Sequence, residues 1–465
     1  MTDKDRAIEA LTPRGAGHQF VFYGDSCSGV PGHLHEQKLG KVNAVVRRLR
    51  PAPDFAVFPG DEVIGLIPDE AELRRQWHHF FDVEMAWARA ADLRIYHATG
   101  NHTTYDPMSE RVFADVMAHL PRNGPLGQDG LSYYVREGDL LLVFVHTLST
   151  ALGGEGHIET EWLRATLRDH ADARWKFVVG HHPAFPVNGY VGTYQRTIGD
   201  EYVPAFWSIL VEAGVSAYLC SHILAFDVQC HAGVLQITSA GAGTAHRMPE
   251  DVEYLHCVQM AIDTDGLRYQ VLDEDGTLRE ALHWPPPAPP QHRALDTGRN
   301  TVDGAHLGTG PMTFGLSGRA AASGPRQTLC AAVTDSGAVP FWLGLVGRKL
   351  QLTAILQPVA GRSPHQWLGP CFAPGDAFDL DVLIHPGMGP GGLLWRGRGA
   401  DRWTGFDGAS PWGAERLTWP DTLWVGACGA GERAIAYAGA DLKVRLGHGA
   451  GGERRHTQQE GAANR

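Results

Sequence analysis

Several marks of specialised function are scarce or missing in this 465-residue sequence. It has no run of 18 uninterrupted apolar residues, so a membrane-spanning helix is not expected. Residues 1–17 are polar and charged without an apolar segment, unlike a secretory leader, and a cytoplasmic protein is the expectation. The seven cysteines, at 27, 220, 230, 257, 330, 371 and 428, form no C-x-x-C pair, which suits reduced thiols better than a disulfide framework. Positive charge is in short supply: 40 Lys and Arg against 52 Asp and Glu give a net charge of -12, which argues against a general polyanion binder, so no nucleic-acid partner is expected. Only 6 of the basic residues are lysine, a bias that reads as genome composition and carries no functional weight.

What is present points to a globular protein. The hydrophobic fraction is 43% and the charged fraction 20%, and the length exceeds what one hydrophobic core organises, so two domains are expected. The boundary falls at Trp284 to Gln291, W-P-P-P-A-P-P-Q, where clustered prolines remove hydrogen-bond donors and stiffen an extended connector. The expected organisation is a tail over 1–17, a first domain over 18–284, a linker over 285–292, a second domain over 293–446 and a disordered Gly-rich tail over 447–465.

In the first domain, apolar runs alternate with helical patterns. Val21–Tyr23, Phe55–Phe58, Leu93–His97, Lys176–Val179 and Val215–Cys220 read as strands, with a hairpin at 132–146. Glu36–Leu49, Asp69–Ala91, Glu159–His170 and Tyr202–Ala213 read as helices, and Asp69 followed by Glu72 resembles a capping box. Antiparallel ribbons follow from Phe226 to Asp273. After the linker, helical periodicity disappears and short strands separated by Gly and Pro predict an all-β sandwich.

Five of these runs end in residues that bind metals: V-F-Y-G-D-S-C at 21–27, F-A-V-F-P-G-D-E at 55–62, L-R-I-Y-H-A-T-G-N-H at 93–102, F-V-V-G-H-H-P at 177–183 and V-S-A-Y-L-C-S-H at 215–222. Carboxyl ends of strands are where open α/β sheets place their sites. Oxygen and imidazole donors suit divalent Mn, Fe or Zn, one or two per chain.

With Gly60-Asp61, Gly100-Asn101-His102, His181 and His222 in this order, the span Gln19 to Trp284 resembles the calcineurin-like metallophosphoesterase superfamily, which includes purple acid phosphatases. The resemblance implies an α/β (α+β) four-layer sandwich holding two metals, with a metal-bound hydroxide attacking phosphorus. By position, Asp25 matches the first-motif carboxylate, Asp61 the bridging carboxylate, and Asn101, His181 and His222 the second metal's ligands. His102 matches the histidine that protonates the leaving oxygen or stabilises the transition state. The sequence departs from the pattern twice: Asp25-Ser26-Cys27 stands for D-x-H or D-x-G, and Ser221-His222-Ile223-Leu224 for G-H-x-H. Ile64 stands where purple acid phosphatases carry a tyrosine ligand. One firm and one weak or vacant metal position are therefore expected.

Cys27 is a soft replacement ligand or an inert thiol; His182 reads as a packing or supporting residue. His33 and His35 lie in a Gly-Pro loop and read as solvated, with substrate contact or ligation as the alternative. His146 ends a strand facing the same edge. The second domain resembles concanavalin A-like, laminin-G-like jelly rolls at Phe378 to Trp395 and Leu423 to Gly439, which implies carbohydrate or protein contact or homo-oligomerisation. It shows no paired carboxylates at a spacing that suits a glycosidase. The expected function is hydrolysis of a small phosphomonoester or phosphodiester. The alternatives are a mononuclear-metal enzyme of another reaction and a degenerate binding protein.

Overall fold

The computed structural model of the chain describes residues 6–187, 196–243, 245–250, 252–286, 292–307, 310–322, 325–356, 365–385, 388, 392–400, 402–407, 419–428 and 435–448. Two compact units divide it. The first is Met1–Pro285 with Met388–Gly391 and Arg402–Ala414; the second is Pro286–Gly387, Gly392–Asp401 and Glu415–Arg465. The sequence placed 402–407 in the second domain, yet Arg402 Nη1 donates to the Val211 carbonyl at 2.7 Å and Cys230 Sγ to that of Trp403 at 3.4 Å, which draws this segment to the first unit.

In the first unit the order is β1 (His18–Phe22), α1 (Leu34–Val46), β2 (Phe55–Phe58), α2 (Glu70–His79), β3 (Arg94–His97), α3 (Pro107–Val116), β4 (Tyr133–Glu137), β5 (Leu140–Phe144), α4 (Thr160–Asp169), β6 (Trp175–Val179), α5 (Val203–Glu212), β7 (Ala217–Cys220), β8 (Phe226–His231), β9 (Val234–Ser239), β10 (His256–Asp263), β11 (Gly266–Asp273) and β12 (Leu278–Trp284). One sheet runs β12-β11-β10-β1-β2-β3, with β1, β2 and β3 parallel. The other runs β8-β9-β7-β6-β5-β4, with β5, β6, β7 and β9 parallel. The sheets face one another: Phe20 meets Phe177 edge-on at 5.9 Å and Tyr96 meets Phe144 at 6.1 Å. On the outer face of the second sheet, Leu163 and Leu167 of α4 and Phe206 and Leu210 of α5 pack with Val178 and Tyr218. Strands such as β5 (L-L-L-V-F) are buried along their whole length because both faces are covered, and each such side chain contributes roughly 1.5–3 kcal/mol. Helices outside two facing sheets give the four-layer α/β sandwich.

The helix expected over Asp69–Ala91 is broken. Asp69 caps it by accepting from the Glu72 amide at 3.1 Å, but after His79 a five-residue π-turn runs from Phe80 to Glu84, and Met85 leaves helical geometry before a short helix at Ala86–Ala90. Packing wins over periodicity here: Trp77, Phe80 and Phe81 form an aromatic cluster, and the Asn43 amide donates to the Glu84 carbonyl at 3.3 Å. The turn delivers the Glu84 carboxylate to Ser28 Oγ at 2.7 Å and the Gly29 amide at 3.1 Å, directly behind the first metal motif. The amino-terminal tail also has structure, since Ile8–Glu9 pairs in parallel with Leu49–Arg50.

The second unit is all-β. One sheet contains β13 (His292–Leu295), β15 (Met312–Arg319), β20 (Ala377–Ile384), β21 (Leu393–Gly397) and β23 (Ala440–His448); the other contains β14 (Gly298–Thr301), β16 (Arg326–Ala332), β17 (Phe341–Val346), β18 (Gln351–Leu356), β19 (His365–Leu368) and β22 (Thr422–Val425). All the pairings among these strands are antiparallel. Phe314 and Phe341 stack across the two sheets at 5.4 Å. Residues 447 and 448 of the expected tail belong to β23, which runs through His448; 449–465 and most of the proline linker lie outside the described residues. Among the described residues no helix is long and apolar enough to cross a membrane.

Candidate metal centre

Five parallel strands end where the sequence placed its ligands. β1 leads into Asp25 and Cys27, β2 into Gly60-Asp61, and β3 into Asn101 and His102; β6 leads into His181-His182 and β7 into Ser221-His222. The site is thus assembled from both sheets at one edge. Four of the ten non-glycine residues with positive φ among the described residues lie here: Asp25 (59°), Cys27 (43°), Asp61 (56°) and His222 (66°). Such a conformation costs on the order of 1 kcal/mol or more and persists only where neighbours enforce it. The loops enforce it on each other. The Asp25 amide donates to the Gly60 carbonyl at 3.1 Å and the Cys27 amide to the Asp61 carbonyl at 2.8 Å. The His102 amide donates to Asp61 Oδ1 at 2.8 Å, and the His222 amide and the Ser221 hydroxyl both donate to Asp25 Oδ2, the amide at 2.8 Å.

The centre of the arrangement is His181 Nε2. It lies 3.0 Å from Asn101 Oδ1, 3.1 Å from Asp61 Oδ2 and 3.1 Å from His222 Nδ1. Its other nitrogen donates to the Pro59 carbonyl at 2.9 Å, which fixes the ring and turns Nε2 inward. Three donors of the type that hold Mn, Fe or Zn therefore surround the Nε2 of a fourth. These three distances to Nε2 are a few tenths of an ångström shorter than the ~3.4 Å separation of neighbouring donors around a cation with ~2.1 Å bonds. Electrostatics prepare the place. Burial works against ionising Asp61, but His181 and His102 outweigh it and hold the carboxyl at about 2. Burial likewise opposes charge on His181, and Asp61 and Asp25 overcome it, lifting the imidazole to about 9. A metal taken up here displaces that proton.

The other expected residues fall into different places. His102 is beside the cluster, with Nδ1 donating to the Ile64 carbonyl at 2.7 Å. Asp25 lies with Asp61 and His181 in a group whose ligand atoms are all within 4.8 Å of one another, and Cys27 lies in another with Asp61 and His102. Burial above all, and then Asp61, lift Asp25 to about 7 against the pull of His181; burial with Asp61 and Asp25 raises the Cys27 thiol well above its usual value. His182 is fully buried against His222, with ring centroids 4.3 Å apart, and Nδ1 at 2.9 Å from the Thr147 hydroxyl. His146 is outside the cluster: Nδ1 meets the Thr99 hydroxyl at 2.7 Å and Nε2 the Glu110 carboxylate at 3.0 Å, so the ring ties α3 to the end of β5. His33 is exposed and caps α1, and His35 Nδ1 lies 2.9 Å from the Ser26 carbonyl.

Some supporting residues carried no signal beyond their neighbours. Thr147 follows His146 at the end of an apolar run and orients His182; Glu155 Oε1 stands 3.6 Å from His182 Nε2. Glu253 is buried and its carboxylate accepts the amides of Ala245, His246, Arg247 and Met248 at 2.6–2.8 Å. That grip continues the loop whose Ala242 amide donates to the Gly24 carbonyl at 2.9 Å, beside Asp25. Because charge-assisted bonds contribute roughly 1.5–3 kcal/mol each, Glu253→Ala is expected to raise hydrogen exchange at amides 245–248 at least ~10-fold while leaving β6 protected; unchanged exchange there would show that the carboxylate does not organise the loop.

The sequence profile of the calcineurin-like phosphoesterases matches residues 18–226. No curated protein matches the chain. Similar solved structures include a purple acid phosphatase from yellow lupin (Lupinus luteus) seeds, at 14% identity and a TM-score of 0.43, covering 59% of this chain and 55% of that one. A dimetal phosphatase from Danio rerio has 17% identity and a TM-score of 0.40, covering 57% and 98%. GAP50, the anchor in the inner membrane complex of Plasmodium, has 15% identity and a TM-score of 0.40, covering 57% and 88%. The chain thus spans about half the length of the lupin enzyme. Residues 18–226 form a calcineurin-like phosphoesterase domain, the domain of a family of metal-using hydrolases that act on phosphoric esters.

Proposed function

We propose that this chain is a metal-dependent phosphoesterase that hydrolyses a small phosphomonoester or phosphodiester. The observation that carries the reading is the convergence on His181 Nε2 of Asn101, Asp61 and His222 at 3.0–3.1 Å. These four residues would hold one Mn, Fe or Zn ion. Bound there, the cation supplies a Lewis acid that polarises a phosphoryl oxygen and acidifies water. His102, oriented through Nδ1 on the Ile64 carbonyl, keeps Nε2 to hold or give a proton at the departing oxygen. Asp25 and Cys27 would offer a weaker second position. A cytoplasmic location and a concanavalin A-like second unit that contacts sugar, protein or another copy of the chain belong to the same reading.

A mononuclear enzyme of a different reaction is the second reading. It is favoured by the first position: Leu224 cannot ligate, Asp25 Oδ2 is occupied by Ser221 and His222, and the Cys27 thiol is held in its protonated form. Metal content per chain, measured with turnover of generic phosphomonoesters and diesters before and after chelation, separates them. We expect one tightly held metal, turnover lost on chelation and regained on adding Mn or Zn. One metal with no phosphoester turnover supports the second reading, and no retained metal defeats both.

A further inference from the structure

The π-turn from Phe80 to Glu84 completes a second group of metal-binding side chains, which shares no residue with the centre at His181. Glu36 in the first turn of α1, His79 at the last position of α2 and Glu84 at the end of the π-turn each offer one ligand atom, and these atoms lie within 4.8 Å of one another. His79 Nε2 is 3.0 Å from Glu36 Oε1 and 3.8 Å from Glu84 Oε1. The two distances bracket the ~3.4 Å separation of neighbouring donors around a cation with ~2.1 Å bonds.

Each carboxylate is held from behind. Glu36 Oε2 accepts the Gly32 amide at 2.6 Å, and Glu84 Oε2 accepts Ser28 Oγ at 2.7 Å and shares the Gly29 amide with Oε1. Their Oε1 atoms are the ones nearest His79, and among the described residues neither carboxylate has an arginine or lysine partner. An ion pair alone answers this arrangement poorly. A protonated His79 brings one positive charge to two carboxylates, and 3.8 Å is too long for a hydrogen bond to Glu84, whose side chain is 2% exposed. Burial raises the Glu84 carboxyl above its ordinary value, as expected of an acid with no full counter-charge. Solvent still reaches the group, since the side chains of His79 and Glu36 are 15% and 28% exposed, so an ion has a way in.

We propose that Glu36, His79 and Glu84 form a second, exchangeable site for a zinc-like divalent cation, held by one imidazole and two carboxylates with water filling the rest of its shell. An imidazole among the donors suits Zn, Mn or Fe better than Ca or Mg, which take oxygen alone. Three half-exposed or anchored ligands grip less firmly than four, so this site fills and empties while the centre at His181 keeps its metal. Its effect is mechanical. Glu84 holds Ser28 and Gly29, next to Cys27, and Glu36 holds Gly32, so a cation joining the two carboxylates to His79 stiffens the loop that follows Asp25 and Cys27. The site is independent of the phosphoester chemistry proposed above.

The test titrates zinc calorimetrically into the full chain already carrying its tightly held metal, and again into His181→Ala. Saturable uptake of exchangeable zinc is expected in both. Loss of a group that merely supports a ligand costs about 10–100-fold in metal affinity, so His79→Gln, which removes a ligand, should weaken one such zinc per chain at least ~100-fold, and Glu36→Gln at least ~10-fold. Zinc should also slow hydrogen exchange at the Gly29 and Gly32 amides of the wild type and leave it unchanged in His79→Gln, with circular dichroism as the control for folding. Should His79→Gln fail to fold, Glu36→Gln and the exchange at these two amides decide alone. Absence of exchangeable zinc, uptake that both variants leave unchanged, or uptake that disappears in His181→Ala would mean that the three side chains form a hydrogen-bonded bridge only and would overturn the proposal.

Discussion

His181→Ala is expected to leave the protein without its tightly held metal and to bring phosphoester turnover below about a thousandth of wild type. The size follows from what is removed: a Lewis acid at a phosphoryl centre supplies several kcal/mol of transition-state stabilisation, and each 1.36 kcal/mol is tenfold in rate, so losing ~4 kcal/mol is a thousandfold. No other ligand stands so near to all the rest, since Nε2 is the atom that Asn101, Asp61 and His222 all approach within 3.1 Å. The fold should survive. The substitution removes one donor to the Pro59 carbonyl, a loss of about 1–3 kcal/mol, which a domain built on two fully covered sheets tolerates. Metal content by mass spectrometry and turnover by product release read the two effects, with circular dichroism as the control. Retained turnover in a folded, metal-free variant would end the assignment of this cluster as the catalytic centre.

Gly100→Ala should be nearly as damaging, though the residue has no side chain to contribute. A Cβ at this position would lie 2.2 Å from Asp61 Oδ1 and 2.5 Å from the Asp61 amide nitrogen, inside any acceptable contact. Neither partner can yield easily. Gly100 is fixed by its amide donating to Thr103 Oγ1 at 3.0 Å and its carbonyl accepting from the Thr104 amide at 2.9 Å; Asp61 is fixed by its left-handed backbone. Overpacking of this kind costs roughly 1–3 kcal/mol, and here the strain falls on a metal ligand. We expect metal affinity to fall at least ~10-fold and the melting temperature by several degrees. Gly40→Ala is the control: nothing lies within 4 Å of its added Cβ, it sits inside α1, and the substitution should stabilise by roughly 0.5–1 kcal/mol. If Gly100→Ala binds metal as the wild type does, the close approach of these two loops is not what sets the Asp61 carboxylate.

The residues of the cluster were readable from the sequence as neighbours because strand ends are short-range features. A buried run followed at once by Gly-Asp, Gly-Asn-His or Gly-His-His has little freedom in where it delivers those side chains, and Asn101, Asp61 and His222 each come within 3.0–3.1 Å of His181 Nε2. Side chains whose partners come from remote segments were less readable. His146 ends a strand at the same edge as His181, yet Glu110, 36 residues earlier, takes its outer nitrogen. The π-turn at Phe80–Glu84 was hidden for a similar reason: apolar spacing continued through it, and the break answers to aromatic packing and to Asn43 of another helix. In the second unit β15, M-T-F-G-L-S-G-R, carries two glycines that weaken the alternation that marks a strand, yet β20 and β23 flank it on both sides. Glycine there lowers local propensity, and neighbouring strands decide the outcome.

One carboxylate connects the two proposed metal positions. Asp25 Oδ2 receives both the Ser221 hydroxyl and the His222 amide, so the loop presenting a ligand of the stronger position leans on a residue that nominally serves the weaker one. The two positions are therefore epistatic. Replacing Cys27 and Leu224 with histidine would add imidazoles at the first position, but a cation that pulled Asp25 toward itself would loosen the backbone of His222.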